Sequence, residues 1–393
     1  MRKVCVIGVG MTKFVSPKAL RPYTEMGKEA LLDAFKDAGI EYKEIEQAYA
    51  GWVYGDSCAG QKVIYEIGMT GIPVFNVNNN CSTGSNALFL ARQAVGSGVV
   101  ECALALGFEQ MKPGALGIVF DDRPIPMQTF FEKTFEIVPS TPGAAPAAML
   151  FGGAGFEHQK KYGTRTETFA KITVKARKHA EHNERAIFRE LVTVEQVLAS
   201  PPQAPPLTRL QCCPPTCGAA AAIVCSEAFA KKHNISKPIY ITAQSMITDF
   251  PSSFEGKSCM SICGYDMTAA AAKAVYKEAG IGPEDVDVVE LHDCFTCNEL
   301  ITYEGLGLTP EGTAEKFIED GDNTYGGKYV TNPSGGLLSK GHPLGATGLA
   351  QCSELVWQLR GQAGVRQVEG ARIGLQHNIG LGGACVVTMY RQD

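Results

Sequence analysis

Hydrophobic residues recur along the chain in alternating blocks that predict strands and helices in turn. The apolar runs at 99–106 and 286–291 are typical of strands buried on both faces, and residues 4–11 predict a first strand. Between such runs, apolar residues recur at three- and four-residue spacing, which predicts helices. Strands alternating with helices indicate an α/β protein with parallel βαβ units and helices on both faces of each sheet.

The same block pattern occurs twice along the chain. Four segments of the first part recur in the same order in the second: 4–14 in 240–250, 30–40 in 271–281, 45–54 in 286–295, and 81–88 in 342–349. The two middle matches share an offset of 241 residues, and the last has an offset of 261. Two copies of one unit, related by a pseudo-two-fold axis, would bring equivalent helix starts to a shared interface.

A long segment between the two copies breaks the pattern. Residues 116–207 are rich in proline and then become basic and helical, with cations at 160–165 and 171–179. An insertion of this length predicts a cap or lid over a functional site. Its cations would then contact substrate phosphates, or they form a solvated face. The predicted division is 1–118 (completed by about 207–238), 119–206 as the inserted loop domain, and 239–393.

Composition excludes several classes of protein. The chain has 393 residues, 45% of them apolar and 20% charged, with a net charge of −5, which gives no support for nucleic-acid or anionic-membrane binding. Its 14 scattered cysteines predict reduced thiols rather than a disulfide scaffold. No signal peptide, membrane span or C-terminal Ser-Lys-Leu address is expected.

The most informative stretch is residues 76–95, in which three asparagines lead into Cys81 and a small-residue helix follows. Asparagine competes for backbone hydrogen bonds, so a loop is expected before Cys81 and a helix from Ser82 onward. The helix start would favour the thiolate of Cys81 over the thiol. A nucleophile is therefore predicted, with a buried structural cysteine as the alternative.

His342 is the repeat counterpart of Cys81. It lies in the glycine-rich segment 332–348 and precedes Pro343, a residue favoured in the first turn of a helix. A neutral imidazole at this place can accept a thiol proton or donate a hydrogen bond to an oxyanion. The alternative is a hydrogen-bonded core histidine. The repeat gives the first reason to place His342 near Cys81.

Two further segments follow predicted strands. Residues 290–298 bring His292, Asp293 and Cys294 together at the strand end where parallel α/β sheets carry their sites. Cys294 and Cys297 form a C-x-x-C pair, but the surrounding spacing favours neither a zinc site nor a redox disulfide, so no metal is expected. Residues 376–383 supply glycines whose backbone N–H groups can form an oxyanion hole.

These residue types together predict acyl transfer through a thioester. One thiolate attacks a carbonyl, a second thiol carries a proton, and paired donors stabilise the enolate or oxyanion. A hydrolase would need none of the duplicated architecture. The substrate is left open by the residues alone.

Across its whole length the chain resembles the sterol-carrier-protein type of the thiolase superfamily. The resemblance is carried by NNNCSTGS around Cys81, HDCF at 292–295, NPSGGLLSKGHPLGATG at 332–348 and HNIGLGG at 377–383. It implies an α/β fold of two βαβαβαββ halves packed as five layers (α/β/α/β/α) with an inserted loop domain.

The resemblance also implies roles for individual residues. Cys81 would carry the acyl group, His342 would activate it, and Cys294 would supply the acid/base thiol that other thiolases place where Asn378-Ile379-Gly380 stands here. His292 with His342 would form one oxyanion hole, and the backbone N–H groups of Cys81 and Gly380 the other. Asp293, His377 and Asn378 would have supporting roles.

The expected reaction is thiolysis of 3-oxoacyl-CoA, including 2-methyl-branched chains, by CoA as co-substrate without a permanent cofactor. A peroxisomal homodimer is expected from the family, with mitochondrial or cytoplasmic location as alternatives. Two other functions are left open: a biosynthetic acetoacetyl-CoA thiolase and a catalytically silent acyl-CoA-binding scaffold. Cys217 and Cys297 depart from the family pattern, and no lipid-carrier domain is expected after Asp393.

Overall fold

The computed structural model describes residues 1–112, 120–138 and 141–392. Within these residues the strands are β1 (Val4–Met11), β2 (Gln47–Gly51), β3 (Val74–Val77), β4 (Cys102–Glu109), β5 (Gly218–Ser226), β6 (Ile239–Ile247), β7 (Val288–Glu290), β8 (Val330–Thr331), β9 (Ile373–Gly380) and β10 (Ala384–Arg391). The helices of the first half are α1 (Tyr23–Ala38), α2 (Ala59–Ile64) and α3 (Thr83–Gly96).

The remaining helices follow β4. They are α4 (Gln128–Ile137), α5 (Pro146–Tyr162), α6 (Thr166–Ala180), α7 (Val194–Leu198), α8 (Glu227–Lys232), α9 (Ser252–Glu255), α10 (Cys259–Ile262), α11 (Tyr265–Ala279), α12 (Thr296–Gly305), α13 (Ala314–Glu319), α14 (Gly336–Ser339) and α15 (Thr347–Arg360). None of the described helices is long and apolar enough to cross a membrane.

The repeated Ala-Gly-Ile segments end equivalent helices in the same way. Gly39 after α1 and Gly280 after α11 adopt left-handed backbone conformations, with φ of 67° and 71°. Each N–H caps its helix by donating to a carbonyl four residues earlier. Glycine favours this conformation because it has no Cβ to clash, so the repeat preserves a helix stop as well as a helix.

The sheet order confirms the internal repeat. All ten strands form one sheet in the order β3-β2-β4-β5-β1-β6-β10-β9-β7-β8, in which each strand of the first half has its equivalent at the mirrored position. Strands β2, β3 and β4 are parallel to one another, while β5 is antiparallel to both β4 and β1. The halves join where β1 and β6 pair antiparallel at Cys5–Tyr240 and Val6–Ile239.

Three buried apolar clusters define the layers. One packs α1 and α2 against the strands of the first half, and another packs α11, α12, α5 and α6 against the strands of the second. The third joins α3 and α15 to strands of both halves, so these two helices form the central layer. The resulting order of layers is helices, the first half of the sheet, helices, the second half of the sheet, and helices.

The two central helices meet at their N-termini through glycines. A Cβ on Gly84 would lie 2.8 Å from the carbonyl oxygen of Gly345, and one on Gly348 would lie 2.2 Å from Oγ of Ser85. No side chain fits in these contacts, so glycine is required for the approach. The approach brings the start of α3, next to Cys81, to the start of α15, next to His342.

Helices α4 to α7 lie between β4 and β5, where the insertion was predicted. The predicted boundary at residue 118 lies outside the described residues, so the division into domains stays a prediction. Several of the cations form ion pairs with carboxylates of the second half: Lys161 with Glu311, Arg165 with Glu315 and Glu319, Lys171 with Glu319, and Lys175 with Glu299. Phosphate contact by this segment likewise stays a prediction.

Candidate active site

Cys81 lies in a tight turn just before α3. Asn80 adopts a left-handed conformation with φ of 50°, which asparagine tolerates better than most residues. The side-chain amide of Asn80 donates to the backbone carbonyl of Leu381 at 2.7 Å. The hydroxyl of Thr83 donates to the backbone carbonyl of Asn80 at 2.6 Å. The predicted loop-to-helix transition is therefore found, with the helix starting at Thr83.

His342 follows α14 and is held by threonines. Its backbone N–H donates to Oγ1 of Thr216 at 3.0 Å, and its Nδ1 lies 2.7 Å from Oγ1 of Thr347. Because the Thr347 hydroxyl donates to the carbonyl of Pro343 at 3.1 Å, it must accept from Nδ1–H of His342. This leaves Nε2 as a free acceptor, and the buried Nε2 has no hydrogen-bond partner among the described residues.

A series of buried hydrogen bonds gives His292 the opposite tautomer to that of His342. The Ser85 hydroxyl donates to Oδ1 of Asn378 at 2.8 Å, and Nδ2 of Asn378 lies 2.8 Å from Nδ1 of His292. Asn378 therefore donates to Nδ1, which places the His292 proton on Nε2. Gln376 fixes the direction of these hydrogen bonds, because its Nε2 donates to the Ser85 hydroxyl at 2.9 Å. Asn378 thus has a defined supporting role that the sequence did not specify.

Three reactive side chains converge in this region. The Cys81 sulfur, one imidazole nitrogen of His292 and one of His342 all lie within 4.8 Å of one another. The two imidazole centroids are 5.1 Å apart and the rings are nearly perpendicular, at 88°. His292 and His342 are only 1% and 4% exposed, whereas Cys81 keeps partial exposure. A thiol, an acceptor nitrogen and a donor nitrogen can therefore act on one bound carbonyl compound.

The acid–base state of Cys81 corrects the expectation from its position before a helix. Burial, reinforced by the nearby carboxylate of Glu109, raises the pKa of Cys81 to about 12, so the resting group is a thiol. The helix N-terminus does not compensate for this loss of water. Burial, and then the neighbouring His292, holds the pKa of His342 well below its ordinary value. A neutral imidazole is thus available to accept the thiol proton during attack.

This acid–base state predicts how fast an electrophile modifies Cys81. The thiolate fraction rises about tenfold per pH unit below the thiol pKa, so alkylation of Cys81 by iodoacetamide should still increase between pH 8.5 and 9.5. A peptide cysteine with a pKa of about 8.5 levels off over that range. Peptide mapping by mass spectrometry measures both rates. A plateau for Cys81 below pH 8 would contradict the prediction.

Cys294 is buried near Cys81. Burial, followed by the nearby thiols of Cys213 and Cys81 and the carboxylate of Asp293, raises its pKa well above the ordinary value. Its carbonyl accepts from the N–H of Cys213 at 2.8 Å. Cys294 is therefore a protonated thiol near Cys81, in the state that a general acid needs.

Asp293 and His377 form hydrogen bonds with the segments that carry the histidines. Asp293 accepts from the N–H groups of Leu337 and Leu338, at 2.6 and 3.3 Å, at the start of α14. His377 accepts from the backbone N–H of His292 at 3.4 Å and bonds the Thr268 hydroxyl at 3.0 Å. Asp293 therefore fixes α14, which precedes His342, and His377 fixes the backbone of His292.

Gly380 lies directly against the turn that carries Cys81. A Cβ built on Gly380 would lie 2.0 Å from the carbonyl oxygen of Asn79, so only glycine fits this contact. The backbones of Cys81 and Gly380 are therefore close. Their pairing as N–H donors of an oxyanion hole stays a prediction.

Glu109 is a site residue that sequence reasoning missed. At the end of β4, its buried carboxylate accepts from the backbone N–H groups of Val53, Tyr54 and Gly345 at 3.1, 2.9 and 3.0 Å. Burial raises the pKa of Glu109 to about 7 despite these donors. It links the first half of the chain to the loop that follows His342. The sequence placed it only three residues beyond the predicted strand at 99–106.

The two departures from the family pattern have structural roles. Cys217 is buried, and its sulfur accepts from the N–H of Met111 at 3.2 Å. Cys297 is buried on α12 against Gly155, where an added Cβ would lie 2.2 Å from the sulfur. Cys297 thus packs against α5, whereas Cys294 lies near the thiols of Cys213 and Cys81.

The sequence matches known families along most of its length. Residues 4–228 match the family described as "Thiolase, N-terminal domain", and residues 255–390 match "Thiolase C-terminal domain-like". The chain therefore belongs to the thiolase family, which indicates an enzyme of acyltransferase type. Relatives include sterol carrier protein 2 of Oryctolagus cuniculus, 55% identical over 99% of this chain and 72% of the relative.

A more distant relative agrees with this assignment, and solved structures share the fold. The benzoylsuccinyl-CoA thiolase subunit BbsB of Thauera aromatica is 38% identical over 97% of this chain and 95% of its own length. Human mitochondrial 3-ketoacyl-CoA thiolase in complex with CoA is 19% identical with a TM-score of 0.74, covering 100% of this chain and 98% of that one. An Ltp2-ChsH2(DUF35) aldolase has a TM-score of 0.84 at 22% identity over the same shares. These two structures confirm the predicted fold class.

Proposed function

We propose that this protein is a 3-oxoacyl-CoA thiolase that cleaves its substrate through an acyl-Cys81 intermediate. The observation that carries the proposal is the convergence of the Cys81 sulfur with nitrogens of His292 and His342 within 4.8 Å. The opposite hydrogen-bonding states of the two imidazoles support it further. One is a proton acceptor for a nucleophile, and the other is a donor to an oxygen.

In the first half-reaction, Nε2 of His342 takes the proton of the Cys81 thiol as the sulfur attacks the 3-oxo carbonyl carbon. The N–H groups of Cys81 and Gly380 stabilise the oxyanion that forms. The bond between C2 and C3 then breaks and leaves the acyl group on Cys81. Nε2–H of His292, together with the newly protonated His342, stabilises the enolate oxygen of the departing thioester.

Cys294 completes the proton transfers. Its thiol protonates C2 of the enolate, which releases acetyl-CoA, or propanoyl-CoA from a 2-methyl substrate. The resulting thiolate takes the proton of the incoming CoA thiol, and the CoA sulfur attacks acyl-Cys81 to give the shortened acyl-CoA. Cys294 ends as a thiol and His342 returns its proton to Cys81, so the cycle needs no permanent cofactor.

A degradative role in fatty acid β-oxidation, with peroxisomal location, is proposed from the family resemblance. A homodimer is proposed as well. Strand β3 lies at the end of the sheet and exposes 47% of Phe75, so its edge is available for a second copy. Light scattering distinguishes the 42.1 kDa chain from a dimer.

A panel of 3-oxoacyl-CoA substrates tests the proposed function. Turnover with CoA is expected for medium and long chains and for 2-methyl-branched chains, measured by mass spectrometry of the shortened acyl-CoA. A strict preference for the four-carbon substrate would favour the biosynthetic alternative. Absence of turnover throughout the panel, with a folded protein, would leave the silent acyl-CoA-binding scaffold.

A further inference from the structure

A buried ion pair connects the two segments that carry the active-site histidines. Glu290 ends β7 two residues before His292, and Lys340 follows α14 two residues before His342. The Lys340 ammonium lies 3.3 Å from the Glu290 carboxylate, and the two side chains are 2% and 0% exposed. Neither charge has a place in the proposed proton transfers.

A serine hydroxyl lies between the two charges and bonds both. Lys340 Nζ donates to Oγ of Ser334 at 2.8 Å, and the same hydroxyl donates to Glu290 at 2.9 Å. The backbone N–H of Ser334 donates to the other Glu290 oxygen at 3.1 Å. Ser334 belongs to the glycine-rich segment 332–348. The cluster therefore connects the end of β7 at Glu290 with Ser334 and with Lys340, which precedes His342 by two residues.

Such a pair is costly to bury. Removing two charges from water costs several kcal/mol per ion, and apolar residues of similar volume often stabilise a protein as well or better. Stability alone therefore gives weak grounds for this arrangement. The position of the pair gives a stronger reason for it. Each charge is two residues from an imidazole, and the imidazole centroids must stay 5.1 Å apart.

We propose that Glu290, Ser334 and Lys340 form a positioning cluster that sets the separation of His292 and His342. The inference rests on the proposed function, since it assigns the geometry of that same site. The cluster holds Nε2 of His342 near the Cys81 sulfur, while the hydrogen bond from Asn378 orients His292. Its residues act through the histidines and do not touch the reacting atoms.

The test compares Glu290→Gln, Lys340→Met and the double variant with the unmodified protein. We expect kcat to fall about 10- to 100-fold in each, because small misplacements of catalytic groups are costly, while KM for CoA changes less than threefold. The rate of Cys81 alkylation at pH 8 should fall as well. Little thiolate is present at that pH, and a displaced His342 no longer accepts the proton of the Cys81 thiol during attack. The double variant should regain thermal stability relative to the single variants without regaining kcat.

Arg360→Met is the matched control. The Arg360 side chain is 4% exposed and pairs with Asp37 at 2.7 Å at the C-terminal end of α15, and neither residue lies on a histidine-bearing loop. This variant should lose stability while keeping kcat and Cys81 alkylation within threefold. If the variants that remove a charge fail to fold, Ser334→Ala keeps both charges and should still lower kcat about 5- to 10-fold.

Recovery of wild-type kcat in the double variant would overturn the proposal, because stability would then account for the effect. Unchanged kcat and unchanged alkylation in folded single variants, or in Ser334→Ala, would overturn it too. Failure of the proposed function has a different signature, namely no turnover of any 3-oxoacyl-CoA by the unmodified protein. The alkylation rates would then still report whether the cluster positions His342.

Discussion

Cys81→Ala is expected to abolish thiolysis, with kcat reduced on the order of 10⁴- to 10⁶-fold. The acyl group then has no sulfur to bind, so neither half-reaction can proceed through a covalent intermediate. The fold should survive because Cys81 lies in a turn whose hydrogen bonds are made by its neighbours Asn80 and Thr83. Steady-state turnover of a 3-oxoacyl-CoA and circular dichroism of the variant measure the two outcomes.

Cys58→Ala provides the control for this experiment. Cys58 is an exposed thiol, and its loss should change turnover less than threefold. Intact-protein mass spectrometry after substrate addition should show an acyl adduct on the control and none on Cys81→Ala. Turnover by folded Cys81→Ala at the wild-type rate would rule out the assignment of the nucleophile.

Cys294→Ala is expected to lower kcat by about 10²- to 10⁴-fold, the usual contribution of a positioned acid or base. The defect should differ in kind from that of Cys81→Ala. His342 and Cys81 stay intact, so the substrate can still acylate Cys81, whereas protonation of the enolate and deprotonation of CoA become slow. Mass spectrometry should therefore detect acyl-Cys81 in this variant.

The control for Cys294→Ala is Cys297→Ala, which removes the other thiol of the C-x-x-C pair. Cys297 packs against Gly155 on α5, so its loss should affect stability more than turnover. Two results would contradict the division of roles. One is an absence of acyl adduct on Cys294→Ala, and the other is a fall in kcat for Cys297→Ala as large as that for Cys294→Ala.

The sequence repeat allowed much of the architecture to be predicted. Matched segments in a fixed order predicted two copies of one unit, and the mirrored strand order bears this out. The same repeat predicted that Cys81 and His342 lie together, and their reactive atoms do. This inference works because α3 and α15 are the equivalent helices nearest the two-fold axis, where Gly84 and Gly348 permit their close contact.

Other features of the site could not be predicted from local patterns. The helix position of Cys81 suggested a thiolate, but the structure raises its pKa because burial and Glu109 outweigh the helix N-terminus. Glu109 is far from Cys81 in the sequence and becomes its neighbour only through the fold. The proton positions on His292 and His342 likewise depend on Asn378 and Thr347, whose contacts no sequence spacing reveals.

The mirrored sheet also bears on the ancestry of the site. The duplication implies an ancestral half that paired with a copy of itself across a two-fold axis, with identical residues at both helix starts. Joining the copies in one chain freed each start to diverge. One now carries Cys81 and the other His342, so the second half can acquire new acid–base chemistry by mutation while the first keeps its nucleophile.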